Sequence, residues 1–413
     1  MERLLDVDEF VADLWKVHLR VKEEGYAQDL SLGLFRSDYM VHENDSVLQA
    51  KQVEFNTIAS SFGGLSMQTS LLHRYLAATE YPLLQHGWKE LDVPKSDSVE
   101  VLARGMATAF REYSREGTAQ RPTCVVFIIQ EGERNVFDQR HLEYQLASSD
   151  PPIPVFRLPF AQVLQHTRVA EGARRELIYT LPWTHEWPQP SEYEVAVVYL
   201  RAGYGPGDYP SAEAWDARYQ IERSRAIKCP TILTQLAGMK KVQQVLATPG
   251  DSAIHDRFIK SLPDAGALTD TFTNIYPMDA SAAGLEARKK ATDPELCKNF
   301  VLKPQREGGG NNTYRTAIPD FLASIPETHW ASYILMELIT PPSAENIILR
   351  NGQVEEGGII SELGVYGTCL WKKGGEVLHN GGGGYLLRTK GDKSEEGGVA
   401  AGFGCMDSVS LVD

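Results

Sequence analysis

Two short segments constrain the fold of this chain more than any others. Residues 124–130 (CVVFIIQ) and 194–201 (EVAVVYLR) are almost continuously apolar and rich in β-branched side chains. Such a run offers no polar side to water. Each therefore reads as a strand buried on both faces, the pattern of a parallel sheet covered by helices. A helix is predicted over 212–227 and another from near Ala237, so strands alternate with helices. That alternation makes an α/β arrangement in which loops at strand ends carry the chemistry.

At 413 residues the chain is longer than one hydrophobic core supports, since cores stop growing near ~250–300 residues. Two or more interleaved lobes are expected. Asp6 followed by Glu9 forms a capping-box pattern, and Phe10, Leu14, Val17 and Val21 then repeat at helical spacing. Short strands are predicted at 31–39 and 47–56, and a helix from near Ser66. Residues 301–413 hold 19 of the 35 glycines, with apolar strands at 333–339 and 358–362 between glycine clusters. This composition predicts an antiparallel sheet with mobile loops.

Several function classes are excluded. The longest apolar runs, about six residues, fall far short of the ~20 that a membrane-spanning helix needs. Residues 1–10 carry Glu2, Asp6, Asp8 and Glu9, unlike a secretion signal. A net charge of −14 disfavours nucleic acid, which demands a basic face. The five cysteines are widely spaced with no CxxC pair, which predicts a reducing, cytoplasmic setting and no zinc ribbon. Cys124 and Cys369 read as small core residues. There is no P-loop, no GxSxG, no second histidine to complete a zincin after His185-Glu186, and the glycines at 203, 205 and 207 lack the dinucleotide spacing.

One segment carries chemistry above the rest: FVLKPQREGGGNNTY, 300–314. A strand ends on Lys303, and Glu307 then meets Gly308, Gly309 and Gly310. Consecutive glycines let backbone N–H groups approach an anion closely. Lys303 offers phosphate a point charge, and Glu307 offers Mg²⁺ a hard oxygen. A glycine-rich hairpin with a solvated charge pair is the plain alternative. Glu54 and Asn56 share one face of a strand by alternation. Lys240 and Lys241 open a helix, and Arg388 and Lys390 close a strand; both pairs fit local anion sites. The small-residue stretch 395–402 (EEGGVAAG) suits a loop that closes over a ligand, with a plain flexible hairpin as the alternative.

These motifs, together with VEFNT, SFGGL, ERNVFDQ, RAGY, QLAGMKKVQQ, YILME, SELGVYG, YLLRTK and EEGGVAAGFG, resemble eukaryotic glutathione synthetases, the fungal members most nearly. The resemblance runs in family order over almost the whole chain. It implies a circularly permuted ATP-grasp fold, α/β (α+β), with a parallel-sheet substrate domain and an antiparallel, glycine-rich-loop lid region. On that basis 1–122 is the first part of the ATP-grasp core, 123–235 the substrate domain, and 236–413 the remaining core and lid. The implied reaction is ATP-dependent ligation of γ-glutamylcysteine to glycine, usually in a homodimer, with Mg²⁺.

Position by position, the resemblance assigns Mg²⁺ to Glu54, Asn56 and Glu307. It assigns the nucleotide to Lys240, Lys303, Gly308, Gly309, Asn312, Tyr314, Met336, Glu337, Ile339, Glu362, Lys390 and Glu396. The peptide goes to Arg36, Ser61, Glu133, Asn135, Gln139, Arg201 and Tyr204, and the acceptor to Arg388, Val399 and Ala400. Arg388, Glu307 and Lys303 are the implied catalytic groups. Ala59 stands where the family often has Ser, and Arg315 where many members have Gly. Family members carry further residues ahead of the segment that Met1 opens, so the apolar face of the first long helix is expected to be partly uncovered. A non-catalytic or acceptor-altered relative that binds nucleotide or glutathione is the alternative.

Overall fold

The computed structural model describes residues 2–79, 92–115, 117, 119–182, 191–248, 254, 257–307, 310–350, 352–394, 399, 402 and 404–411. The chain opens with α1 (Glu2–Leu5), α2 (Glu9–Glu24), β1 (Leu30–Asn44), β2 (Val47–Asn56), α3 (Gly63–Ala78) and α4 (Ser98–Arg115). There follow β3 (Thr123–Ile129), α5 (Val136–Ala147), β4 (Val155–Pro159), α6 (Val163–His166), β5 (Thr167–Val169), β6 (Leu177–Thr180) and β7 (Glu192–Leu200). Next come α7 (Ala212–Arg223), β8 (Ile227–Cys229), α8 (Ile232–Ala237) and α9 (Lys240–Leu246). A second sheet holds β9 (Ile275–Pro277), β10 (Phe300–Pro304), β11 (Thr313–Tyr314) and β12 (Tyr333–Glu337). The chain then returns to the first sheet with β13 (Ala344–Arg350), β14 (Gln353–Lys372), β15 (Val377–Gly391) and β16 (Cys405–Asp407).

The large sheet runs β16-β15-β14-β1-β8-β7-β3-β4. It is antiparallel from β16 to β1 and parallel from β1 through β8, β7 and β3 to β4. β3 supports the reading of a strand enclosed on both sides. Cys124, Val126 and Ile128 enter a core with Phe10, Leu14, Ile221 and Ile232 of α2, α7 and α8. Val125 and Phe127 enter another with Leu102, Met106 and Leu142 of α4 and α5. Because successive side chains alternate, a strand covered by helices on both faces must be apolar at every position.

Several local expectations change. The cap of α2 is Asp8, not Asp6: its carboxylate accepts from Val11 N at 3.1 Å and also pairs with Arg306 at 2.6 Å. The apolar face of that helix is covered, with Phe10, Leu14, Val17 and Val21 all at most 4 % exposed. The helix predicted over 212–227 ends at Arg223, and Ile227 instead begins the three-residue strand β8, too short to show a period. Ala237 closes α8, which Thr231 caps, and a separate helix opens at Lys240. Cys124 is fully buried, but Cys369 is only half-buried, on a strand whose alternate residues face an open side. No helix of the described residues is long and apolar enough to cross a membrane.

Asp8→Ala is expected to lower stability by about 0.5–2 kcal/mol through the lost cap, whereas Asp8→Asn should retain most of it. Urea denaturation of the two variants checks this; equal losses would make the Arg306 pair, not the cap, the stabilising contact.

Candidate active site

A cavity of about 650 Å³ draws its walls from the ends of β3 and β7, from β1, β2, β14 and β15, and from β10 and β12 of the small sheet. Loops beyond the carboxyl ends of parallel strands are where open α/β sheets form crevices. Here Gln130 and Glu133 follow β3, and Arg201 and Tyr204 follow β7.

The polar lining follows from strand alternation. Arg36 and Asp38 share one face of β1, and the register sets them opposite Asn56 and Glu54 of β2. The register then slips, passing from Asp38↔Glu54 to Tyr39↔Gln52 and leaving Val53 unpaired in the ladder. Such a bulge frees a backbone carbonyl. The Val53 carbonyl accepts Lys303 Nζ at 3.1 Å, fixing a lysine of the small sheet against the large one.

The lysines and carboxylates act strongly on one another. Lys240 Nζ lies 2.9 Å from Glu54 Oε2, with Lys240 only 4 % exposed. Burial alone would raise the Glu54 carboxyl, but Lys240, Lys303 and Arg388 together hold it well below the ordinary carboxylate range. Burial pushes Glu307 up to about 7, with Lys240 opposing and Glu54 adding to the rise. For Lys240, burial is outweighed by Glu307 and Glu54, which keep the ammonium charged.

A pair of arginines lines the same cavity. Arg36 donates to Asp38 through Nε (2.7 Å) and Nη2 (2.9 Å), and through Nη1 to the Ser61 carbonyl at 3.0 Å. Arg388 Nη2 reaches the same Asp38 at 3.0 Å and pairs with Glu362. Deeper in, Arg201 is 5 % exposed, and its Nε and Nη1 have no hydrogen-bond partner among the described residues. Buried donors left unpaired are costly, so these two N–H groups suit an acceptor on a ligand, although Tyr199, Asp138 and Glu133 already act on the guanidinium. Nearby, Glu133 accepts from Asn135 N and from Gln139 Nε2, both at 2.7 Å. Asp208 pins the backbone of Gly203 and Tyr204 at 2.9 and 3.1 Å. Gly203 has φ +85°, and a Cβ there would sit 2.9 Å from the Tyr209 hydroxyl, so this turn requires glycine.

The structure gathers the residues singled out in the sequence. Arg36, Glu54, Asn56, Ser61, Glu133, Asn135, Arg201, Tyr204, Lys303 and Glu307 all line the cavity. So do Asn312, Tyr314, Met336, Glu337, Ile339, Glu362, Arg388, Lys390 and Val399. Lys240 and Gln139 are not on its lining but reach it through Glu54 and Glu133. The Glu337 carboxylate is engaged by Asn274 and Tyr276, at 2.9 and 2.8 Å. Gly308, Gly309, Glu396 and Ala400, and most of the loop 395–402, lie outside the described residues.

Sequence reasoning missed Asp38, Arg134 and Asp138. Arg134 lines the cavity beside Glu133. Asp138 accepts from the backbone of Phe62 (2.8 Å) and Gly64 (2.7 Å), holding the turn that carries Ser61. Asp38 stood two residues from Arg36 on one strand face, and that spacing was the available signal.

Among the described residues no group of three His, Cys, Asp or Glu side chains forms a metal site. Glu54, Glu307 and the amide of Asn56 nonetheless suit a hard cation that keeps waters and substrate oxygens in its shell. Burial, and to a lesser degree repulsion from Glu54, raise Glu307, and such a cation would offset both.

Residues 1–411 match the family model for eukaryotic glutathione synthase, ATP-binding domain. The chain is 40 % identical over 428 residues to the glutathione synthetase large chain of Schizosaccharomyces pombe, covering 100 % of this chain and 82 % of that one. It is 38 % identical over 405 residues to the glutathione synthetase of Homo sapiens, covering 97 % and 79 %. A solved glutathione synthetase-like effector from Globodera pallida, in its apo form, shares the fold with a TM-score of 0.70 at 21 % identity, covering 100 % and 87 %. Identity at this level over the full chain leaves one assignment for a cavity built from those motifs: the chain belongs to the eukaryotic glutathione synthetase family.

Proposed function

We propose that this chain joins γ-glutamylcysteine to glycine at the expense of ATP, giving glutathione, ADP and phosphate. The observation that carries the reading is one cavity lined by two sets of charged side chains. Glu54, Glu307 and Lys303 form one, with Lys240 bonded to Glu54, and Arg36, Arg388 and Arg201, whose Nε and Nη1 lack partners among the described residues, the other. The first fits a nucleotide polyphosphate and the second a substrate bearing carboxylates.

In the reaction, the C-terminal carboxylate of γ-glutamylcysteine attacks the γ-phosphorus of ATP. The β–γ bridging oxygen leaves with ADP, and an acyl phosphate forms. The glycine amine then attacks the acyl carbon, the bond to the phosphate oxygen breaks, and a proton is released as the amide forms. Phosphoryl transfer of this kind asks a protein for positioning and charge rather than covalent chemistry. Lys240 and Lys303 take the phosphates, with Asn312, Tyr314, Met336, Ile339, Glu362 and Lys390 around the rest of the nucleotide. Mg²⁺, held by Glu54, Asn56 and Glu307, supplies neutralising charge on the phosphates when bound. Arg36, Ser61, Glu133, Asn135, Gln139, Arg201 and Tyr204 hold the peptide, and Arg388 with Val399 the acceptor.

The same reading takes the fold as a circularly permuted ATP-grasp with the substrate domain at 123–235. It places the protein in the cytoplasm as a homodimer. The non-catalytic alternative is not favoured, because the charged positions are filled and nearly all meet in one cavity. The test is ADP release coupled to tripeptide formation, followed by mass spectrometry. Equal amounts of ADP and glutathione are expected; ATP binding without tripeptide would overturn the assignment.

A further inference from the structure

We propose that Asp38 is a positioning residue for this reaction: one buried carboxylate aims Arg36, Arg388 and Asn56 together, and so sets where the peptide carboxylate sits. The inference rests on the ligase reading above and adds a residue that the family motifs did not single out.

Asp38 is 0 % exposed. Its Oδ1 accepts from Arg36 Nε at 2.7 Å. Its Oδ2 accepts from Arg36 Nη2 at 2.9 Å, Asn56 Nδ2 at 3.0 Å and Arg388 Nη2 at 3.0 Å. Oδ2 thus takes three donors and Oδ1 one, all of them from protein side chains. The side chain is fully buried and is not part of the cavity lining. Asp38 can therefore act only through the groups it holds.

Those groups need holding. Arg36 and Arg388 are like charges in one cavity, and each would drift from the other without an anion between them. A shared, desolvated carboxylate removes that repulsion and fixes both guanidinium planes. Arg36 spends three of its five N–H groups on Asp38 and Ser61, leaving donors over for a substrate. The Asn56 amide nitrogen is likewise committed to Asp38, which leaves its oxygen as the atom available to a cation.

The neighbouring strand is shaped around this cluster. Gly364 of β14 pairs with Asp38 across the ladder. A Cβ at Gly364 would stand 2.7 Å from Asp38 Oδ1 and 2.7 Å from Arg36 Cδ. The backbone there does not need glycine for its conformation; the ion pair needs the room.

The experiment compares wild type, Asp38→Asn, Gly364→Ala, Arg36→Met and the Asp38→Asn/Arg36→Met double variant. In Asp38→Asn the KM for γ-glutamylcysteine is expected to rise about 10-fold or more, with a clearly smaller rise in the KM for ATP through Asn56 and no fall in melting temperature. Gly364→Ala should show the same split, because it displaces the pair without changing its charge. The double variant should lose little beyond Arg36→Met alone, since one residue acts through the other. An unchanged peptide KM in both Asp38→Asn and Gly364→Ala overturns the proposal. So does a rise in both KM values together with a lowered melting temperature, the mark of a merely structural residue. If Asp38→Asn does not fold, Gly364→Ala alone decides. Failure of the wild type to form tripeptide would instead overturn the ligase reading, which keeps the two results apart.

Discussion

Glu307→Gln is expected to lower turnover about 10²-fold or more, by analogy with removing one preorganised electrostatic stabiliser. The substitution keeps the shape and exchanges a hard anionic oxygen for an amide, where charge on the transferring phosphoryl group must be neutralised. The fold should not suffer. Burial already pushes this carboxyl upward, and its repulsion with Glu54 is a cost of the native state. Removing that repulsion should leave the melting temperature unchanged or raise it, the usual trade between stability and a charged site. The check is steady-state ligation over a Mg²⁺ titration, with thermal denaturation alongside. Wild-type turnover at limiting Mg²⁺ would remove Glu307 from the cation site.

Phe127→Ala should cost about 3–5 kcal/mol, the range for emptying a large aromatic site in a packed core. Phe127 is fully buried, and its ring meets Tyr199 edge-on at 4.9 Å. It lies in the core that α4 and α5 share with β7, so neighbours on three elements lose contacts and cannot all close the gap. By contrast Val41→Ala, at a side chain 44 % exposed, should stay within about 0.5 kcal/mol. Urea midpoints at constant slope measure both. A loss below about 1 kcal/mol for Phe127→Ala would mean that the strand is not enclosed on both faces.

Much of this was legible from local pattern. An all-apolar run declared β3 and β7 before any contact was known, because a strand with two buried faces has no other composition available. Period-two alternation put Glu54 and Asn56 on one face, and both line the cavity. Local pattern failed where elements were short or where context decided. The three residues of β8 carry no period, the cap of α2 moved from Asp6 to Asp8, and alternation along β14 left Cys369 half-buried.

The site's electrostatics belong to the tertiary structure. Lys240 meets Glu54 from 186 positions away, Lys303 meets the Val53 carbonyl from 250, and Arg388 meets Asp38 from 350. Each residue alone reads as an ordinary charge. Burial in one cavity makes them act on each other, since a charge removed from water must find its partner in the protein. Sequence by itself determined which strands are enclosed and which residue types stand at their ends. Only the fold decided that a carboxylate on β1 would face an arginine on β15, because that meeting depends on strand order across the sheet and not on anything within either strand.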